Sequence, residues 1–107
     1  MSKTSQTSDG KIMFWCPGCE DCHWINDTWQ SFGLPDNPSF NPSVLVIYRH
    51  PKGYTNEKPA PLGYNGEYVE DRCHSFVRDG QIEFLTDSYH KLAGQTVPLP
   101  DREWAPA

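Results

Sequence analysis

Short apolar runs, separated by segments rich in proline, glycine and asparagine, set the pattern of this 107-residue chain. Residues 12–15 and 23–25 predict two strands joined by a short turn, and residues 29–32 predict a third strand. Residues 44–49 form a continuous apolar and β-branched run, which predicts the central strand of a sheet. The pattern therefore favours a mainly β, small α+β fold, in which a hairpin is joined to an antiparallel sheet.

The clearest local signal is a second hairpin, formed by residues 67–78 and 81–85. Asp79 and Gly80 lie between these runs and make the two-residue connection that favours a type I′ turn. Residues 96–99 predict a closing edge strand, where a proline is tolerated.

One helix and one long loop interrupt the strands. Residues 87–93 predict a short helix, which Thr86 or Asp87 would cap and Gly94 would end. Residues 50–66 contain three prolines and three glycines, and they predict a surface loop. We expect residues 1–10 to be a flexible tail and residues 11–107 to form a single zinc-binding domain.

Composition and charge narrow the class of protein. Only 36% of the residues are hydrophobic and ten are proline, so we expect a thin apolar core that a metal ion would help to stabilise. The formal net charge of −5 and the scattered basic residues argue against nucleic-acid binding. The longest apolar run is too short to cross a membrane, and the polar N-terminus lacks the apolar segment of a signal peptide. We therefore expect a cytoplasmic protein, in which cysteines favour metal binding over disulfides.

A candidate metal site begins at the knuckle Cys16-Pro17-Gly18-Cys19. A C-x-x-C turn presents two thiolates to one point, and a distant Cys or His completes a tetrahedral zinc site. Cys73 and His74 are the distant candidates, while Cys22 and His23 follow the knuckle directly. The arrangement resembles the metal-binding tip of a zinc ribbon and predicts Zn²⁺ as the cofactor.

The predicted turn at Asp79 and Gly80 decides between the distant candidates, because it fixes which side chains share a face. In this register Cys73 lies on the apolar face and His74 on the opposite face, so the two cannot bind one ion. We therefore predict a closed, structural site whose ligands are Cys16, Cys19, His23 and Cys73. A β-bulge at Cys73 would let His74 replace His23, and Cys22 is a further alternative to His23.

His74, Asp87 and His90 form a second candidate site. Asp87 and His90 are three residues apart, so they would share one face of the predicted helix. Two imidazoles and a carboxylate can perform acid–base catalysis or hold an open metal site. The alternative is structural, with Asp87 as the helix cap and both imidazoles bound to backbone groups.

Three stretches of the chain resemble a family of small phage and prophage zinc-binding proteins of unknown function. These are residues 14–23, the segment Pro38-Ser39-Phe40-Asn41-Pro42-Ser43-Val44-Leu45, and residues 73–100. The resemblance implies that His23, His74, Asp87 and His90 belong to a shared pattern. Ser88 replaces a cysteine of many relatives, so position 88 is not an essential metal ligand here. Cys22 replaces a small residue, which weakens the case for Cys22 as a metal ligand.

Two hypotheses on function follow from these patterns. The first is a phage-encoded, zinc-stabilised module in the host cytoplasm, which binds a host or phage protein through residues 50–66 and their tyrosines. The second is a small zinc-dependent hydrolase, in which an open coordination position holds water and His74, Asp87 or His90 transfers protons. No nucleophile elbow, phosphate loop or H-E-x-x-H signature is present, so the sequence favours the binding module.

Overall fold

The computed structural model describes residues 1–55 and 57–104, which form nine β-strands in three antiparallel sheets. The strands are β1 (Thr4–Gln6), β2 (Ile12–Cys16), β3 (Asp21–Ile25), β4 (Gln30–Phe32), β5 (Ser39–Asn41), β6 (Val44–Pro51), β7 (Tyr68–Arg78), β8 (Gln81–Phe84) and β9 (Thr96–Pro98). The sheets have the orders β1-β2-β3, β4-β5 and β6-β7-β8-β9. The predicted mainly β class is confirmed.

The hairpin of β2 and β3 carries the knuckle at its tip. Ile12, Phe14 and Cys16 alternate along β2 and point into the core, because successive side chains of a strand face opposite sides. Phe14 lies opposite His23 in the register, with the two rings edge to face at 5.6 Å. The hairpin thus buries the start of the candidate metal site against apolar side chains.

The N-terminal segment, expected to be a flexible tail, contributes β1. Thr4 pairs with Phe14 of β2, and its side chain is 2% exposed. The hydroxyl of Thr4 donates a hydrogen bond to the carbonyl oxygen of Pro35 at 3.0 Å. These contacts hold the segment in the first sheet. Residues 105–107, which belong to the predicted domain, lie outside the described residues.

The hairpin of β7 and β8 has the predicted register. Arg78 lies opposite Gln81, and Ser75 lies opposite Phe84. Asp79 and Gly80 have positive φ angles of 50° and 77°, as a type I′ turn requires. Cys73 is therefore buried on the core face of β7, and His74 projects from the other face.

The apolar run at residues 44–49 is an edge strand, so its predicted central position is wrong. β6 pairs only with β7 among the described strands. Its alternate residues explain the error: Val44 is 3% exposed, whereas Leu45 and Ile47 are 50% and 42% exposed. The continuous apolar pattern arises because one face covers the core and the other borders a groove.

The predicted helix at residues 87–93 is also wrong, since the segment consists of turns. The N–H of Tyr89 donates to the carbonyl oxygen of Arg72 at 2.8 Å, and Ser88 bonds to the backbone of His74. Backbone and side-chain groups that a helix would use internally are thus bound to β7 instead.

The core is one small cluster to which all three sheets contribute, the second sheet through Phe40 of β5. Its buried members are Ile12, Phe14, Cys16, Ile25, Phe40, Val44, Cys73, Val77, Ile82, Phe84 and Leu99. Two of these eleven residues are cysteines of the candidate metal site, so the core is thin, as the composition suggests. Within the described residues, no helix has the length and apolar character needed to cross a bilayer.

Candidate functional site

Four cysteine and histidine side chains converge where the knuckle meets β7. Cys16 ends β2, Cys19 lies in the turn after it, His23 is on β3 and Cys73 is on β7. Their ligand atoms all lie within 4.8 Å of one another. These four residues can hold a metal ion, and they are the set that the sequence pattern singles out.

The geometry of this cluster fits a tetrahedral ion. The Sγ atoms of Cys16 and Cys73 are 3.9 Å apart. Two sulfurs bound at about 2.3 Å to one tetrahedral zinc ion lie about 3.8 Å apart. Nε2 of His23 is buried without a hydrogen-bond partner among the described residues, while its Nδ1 lies 3.5 Å from the hydroxyl of Tyr48. A buried polar atom without a partner is costly, and a metal ion would satisfy it.

The electrostatics of the cluster also favour a cation. Burial opposes a charge on His23, but the sulfurs of Cys16 and Cys19 outweigh it and raise the pKa of the imidazole to about 9. Contacts with Cys16 and Cys73 lower the pKa of Cys19, whereas contacts with Cys16 and Cys19 raise the pKa of Cys73. Adjacent thiols shift in opposite directions when they cannot all ionise without a compensating positive charge.

His90 lies against Cys73 of the four-residue cluster and not beside His74 and Asp87. Its Nδ1 accepts a hydrogen bond from the N–H of Leu92 at 3.3 Å, so Nε2 carries the proton and donates it to Sγ of Cys73 at 3.5 Å. Burial lowers the pKa of His90, which favours this neutral form. The ring also covers the knuckle, because a Cβ added to Gly18 would clash with Cε1 of His90. This close approach requires glycine in the knuckle.

A second constellation lies on the other face of β7. Nε2 of His74 is 3.0 Å from Oγ of Ser43, and Nδ1 of His74 is 3.3 Å from Oδ2 of Asp87. The side chains of His74 and Asp87 are 27% and 40% exposed, so solvent reaches them. A serine hydroxyl, an imidazole and a carboxylate in this order form a Ser-His-Asp arrangement, in which the imidazole can take the proton of the serine.

The sheet places Ser43 beside His74. In the pairing of β6 with β7, Leu45 lies opposite His74, and Ser43 precedes this strand by one residue. The indole N–H of Trp29 donates to the carbonyl oxygen of Ser43 at 3.3 Å and so anchors the segment before β6. Ser43 is thus positioned by the strand that follows it and by the hydrogen bond to its carbonyl oxygen.

The segment that carries Asp87 is clamped to the backbone of His74. The N–H of His74 donates to Oγ of Ser88 at 3.1 Å, and the hydroxyl of Ser88 donates to the carbonyl oxygen of His74 at 3.0 Å. Nη1 of Arg72 lies 3.5 Å from the same Asp87 oxygen that faces His74. The carboxylate is therefore oriented by its neighbour in sequence and by a cation on β7.

The structure divides the predicted catalytic trio and adds a residue that the sequence analysis missed. It brings His74 and Asp87 together, places His90 beside Cys73 of the four-residue cluster, and places Ser43 beside His74. Ser43 lies in no recognised nucleophile motif, although the quoted segment at residues 38–45 contains it. The sequence contains no local signal for Ser43, because its contact with His74 arises from the pairing of β6 with β7.

The remaining predicted features lie away from these two constellations. Cys22 is partly exposed and does not belong to the four-residue cluster. In the loop between β6 and β7, the ring of Tyr64 packs edge to face against Tyr54 and Tyr68, with centroid distances of 5.5 Å and 5.7 Å. Binding of a host or phage protein by this loop stays a prediction.

The chain belongs to the BubE family, which is described as "Bacterial ubiquitination-like system serine protease (BubE)", because the family model matches residues 1–85. The match includes the four-residue cluster, Ser43 and His74, and it ends two residues before Asp87. This family name differs from the phage family that the sequence motifs resemble, and the match leaves phage origin and zinc binding untested. No curated protein and no solved structure matches the chain.

Proposed function

We propose that this member of the BubE family is a serine protease, in which Ser43 is the nucleophile, His74 the general base and Asp87 the carboxylate that orients the imidazole. The observation that carries the proposal is the 3.0 Å distance from Oγ of Ser43 to Nε2 of His74, with Asp87 at the other ring nitrogen. The family description names a serine protease and supports the same assignment.

In the proposed reaction, Oγ of Ser43 attacks the carbonyl carbon of an amide bond. Nε2 of His74 accepts the hydroxyl proton and then donates it to the leaving nitrogen, which departs as an amine. Nδ1–H of His74 points to Asp87 throughout, so the carboxylate fixes the tautomer and stabilises the imidazolium. Water then attacks the acyl-enzyme with the same base, which releases the acid and restores Ser43.

The family description also suggests the biological setting of this reaction. It refers to a bacterial ubiquitination-like system, so we propose that the substrate is a protein of such a system, cleaved at a peptide or isopeptide bond. A protein substrate suits a shallow site on a sheet face, where the residues of the triad remain accessible to a macromolecule.

We propose zinc as the metal of the cluster and a structural role for it. Three cysteines and one histidine are a common ligand set of closed zinc sites. Four protein donors leave no coordination position for water or substrate, which argues against the zinc-dependent hydrolase of the sequence analysis. The triad lies on the opposite face of β7, so its chemistry needs no metal-bound water.

A fluorophosphonate probe tests the nucleophile, because it reacts covalently with activated serines. We expect one probe per chain, located on Ser43 by mass spectrometry. Ser43→Ala should abolish labelling, and His74→Ala should slow it by at least about 10³-fold. Ser31→Ala is the matched control, since Ser31 lies on β4 away from His74, and it should label at the wild-type rate. Unchanged labelling of Ser43→Ala would overturn the proposal.

A further inference from the structure

A groove beside Ser43 is bounded by two strand edges that pair with no further strand among the described residues. β3 is an outer strand of the first sheet, and β6 is an outer strand of the third. The groove between them has a volume of about 330 Å³ and is lined by residues 21–24 and 45–48. The lining begins at Leu45, two residues after Ser43, so one end of the groove lies close to the proposed nucleophile.

The ladder shows which backbone groups of β6 face this groove. The carbonyl oxygen of His74 accepts a hydrogen bond from the N–H of Leu85 at 2.9 Å, so it points away from β6. His74 lies opposite Leu45, so the two form a non-hydrogen-bonded pair of the β6–β7 ladder. In such a pair the backbone N–H and C=O groups of both residues point away from the partner strand. By alternation Ile47 does the same. Leu45 and Ile47 therefore offer N–H and C=O groups to an added strand.

The side chains at the groove are apolar and exposed. Leu45 and Ile47 are 50% and 42% exposed, and Trp24 on the facing strand is 59% exposed. Leu45 and Ile47 lie opposite His74 and Arg72 of β7. Because cross-strand partners share a face, both side chains project from the same face of the sheet as His74. An occupant of this edge thus meets unpaired backbone groups and large apolar side chains next to the triad.

We infer that this groove binds the substrate segment on the amino side of the scissile bond, as an extended strand antiparallel to β6. The inference rests on the proposed protease function. β6 runs away from Ser43, so an antiparallel strand runs towards Ser43 and presents its last carbonyl group to the nucleophile. Antiparallel pairing is slightly more stable per residue than parallel pairing. Strand addition supplies affinity through the backbone and specificity through alternate side chains.

This geometry defines the substrate class. The enzyme selects an extended acyl segment with apolar side chains at alternate positions, and the leaving amine contributes little to recognition. Leu45 and Ile47 are accordingly specificity-determining residues, whereas Ser43 and His74 perform the chemistry. A charged side chain facing Ile47 would lose its hydration without gaining a partner.

The test uses acetyl-tetrapeptide coumarin amides, which have residues only on the amino side of the scissile bond. With the residue that bears the scissile carbonyl opposite Val44, the second and fourth residues before the bond lie opposite Leu45 and Ile47. These two positions are both valine, both lysine or both aspartate, and the other two positions are randomised. We expect the valine library to be cleaved at least about tenfold faster than either charged library. N-methylation of alternate backbone amides should lower the rate by a similar factor, because it removes strand hydrogen bonds and keeps the side chains.

Ile47→Ala should reduce the preference for valine over both charged libraries, while the fluorophosphonate still labels Ser43. Leu62→Ala is the matched control, because Leu62 is a fully exposed leucine in the loop between β6 and β7, and it should keep the preference for valine. Equal cleavage of all three libraries, or labelling of Ser43 without cleavage of any library, would overturn the inference and leave the nucleophile standing. Failure of Ser43 to label would instead refute the proposed function.

Discussion

Loss of one ligand of the metal cluster should unfold most of this protein, and Cys73→Ser is the sharpest perturbation. Cys73 is 1% exposed and links β7 of the third sheet to the knuckle of the first. Binding of a structural zinc ion contributes about 10–16 kcal/mol in small domains. The whole free energy of unfolding of a domain is about 5–15 kcal/mol, so the loss is comparable to the total stability.

The small core makes compensation for the missing ion difficult. Cys16 and Cys73 are two of its eleven buried residues, so the side chains that would pack without metal are themselves ligands. In the metal-free protein, His23 would also keep a buried nitrogen without a partner. We therefore expect the first and third sheets to lose their mutual packing when the ion is removed.

The assay measures zinc per chain and thermal unfolding by circular dichroism. Cys73→Ser should bind less than one equivalent of zinc and lose its cooperative transition, as should the wild type after chelation. Cys22→Ser is the matched control, because Cys22 lies outside the cluster, and its stability should change by no more than about 0.5 kcal/mol. His74→Ala should keep its zinc. A Cys73→Ser protein that retains one zinc and the wild-type melting temperature would refute the reasoning.

Two further predictions concern carboxylate–histidine pairs. Asp87→Asn should lower kcat by about 10²-fold or more with little change in KM, because the amide no longer holds the tautomer of His74. An unchanged kcat in a coumarin-amide assay would exclude Asp87 from the triad. The second pair lies at the far end of β6, where Nε2 of His50 is 2.8 Å from the carboxylate of Asp71. The backbone oxygen of Pro51 and this carboxylate raise the pKa of His50 above its ordinary 6.5. This contact stabilises the fold fully below pH 6.5, and the effect is lost as the pH rises through the higher folded pKa, so His50→Gln should lower the melting temperature at pH 6 and not at pH 9. An equal change in melting temperature at both pH values would contradict this role of the His50–Asp71 pair.

Local sequence rules predicted that Cys16, Cys19, His23 and Cys73 converge, because each step depends on short-range geometry. The C-x-x-C knuckle brings Cys16 and Cys19 together over a single turn. The turn at Asp79 and Gly80 fixes the register of β7, and this places Cys73 on the core face. No bulge interrupts the pairing of Cys73 with Val46, so the alternative that relied on one does not arise.

The contacts among Ser43, His74 and Asp87 depend on tertiary structure that local patterns do not contain. Ser43 meets His74 only because β6 pairs with β7 across a loop of more than ten residues. Asp87 meets His74 because Ser88 bonds to the backbone of β7 in place of starting a helix. A helix-based argument therefore grouped Asp87 with His90, although the turns separate them.

The two constellations are physically coupled, because β7 and the segment after β8 contribute to both. Cys73 and His74 are neighbours in sequence, yet one faces the metal cluster and the other faces Ser43. The segment after β8 is divided in the same way. Asp87 contacts His74, whereas His90 donates a hydrogen bond to the sulfur of Cys73. An ion bound at the cluster would fix the position of both segments. The metal would thus support catalysis by holding the residues of the triad in place, without taking part in the chemistry.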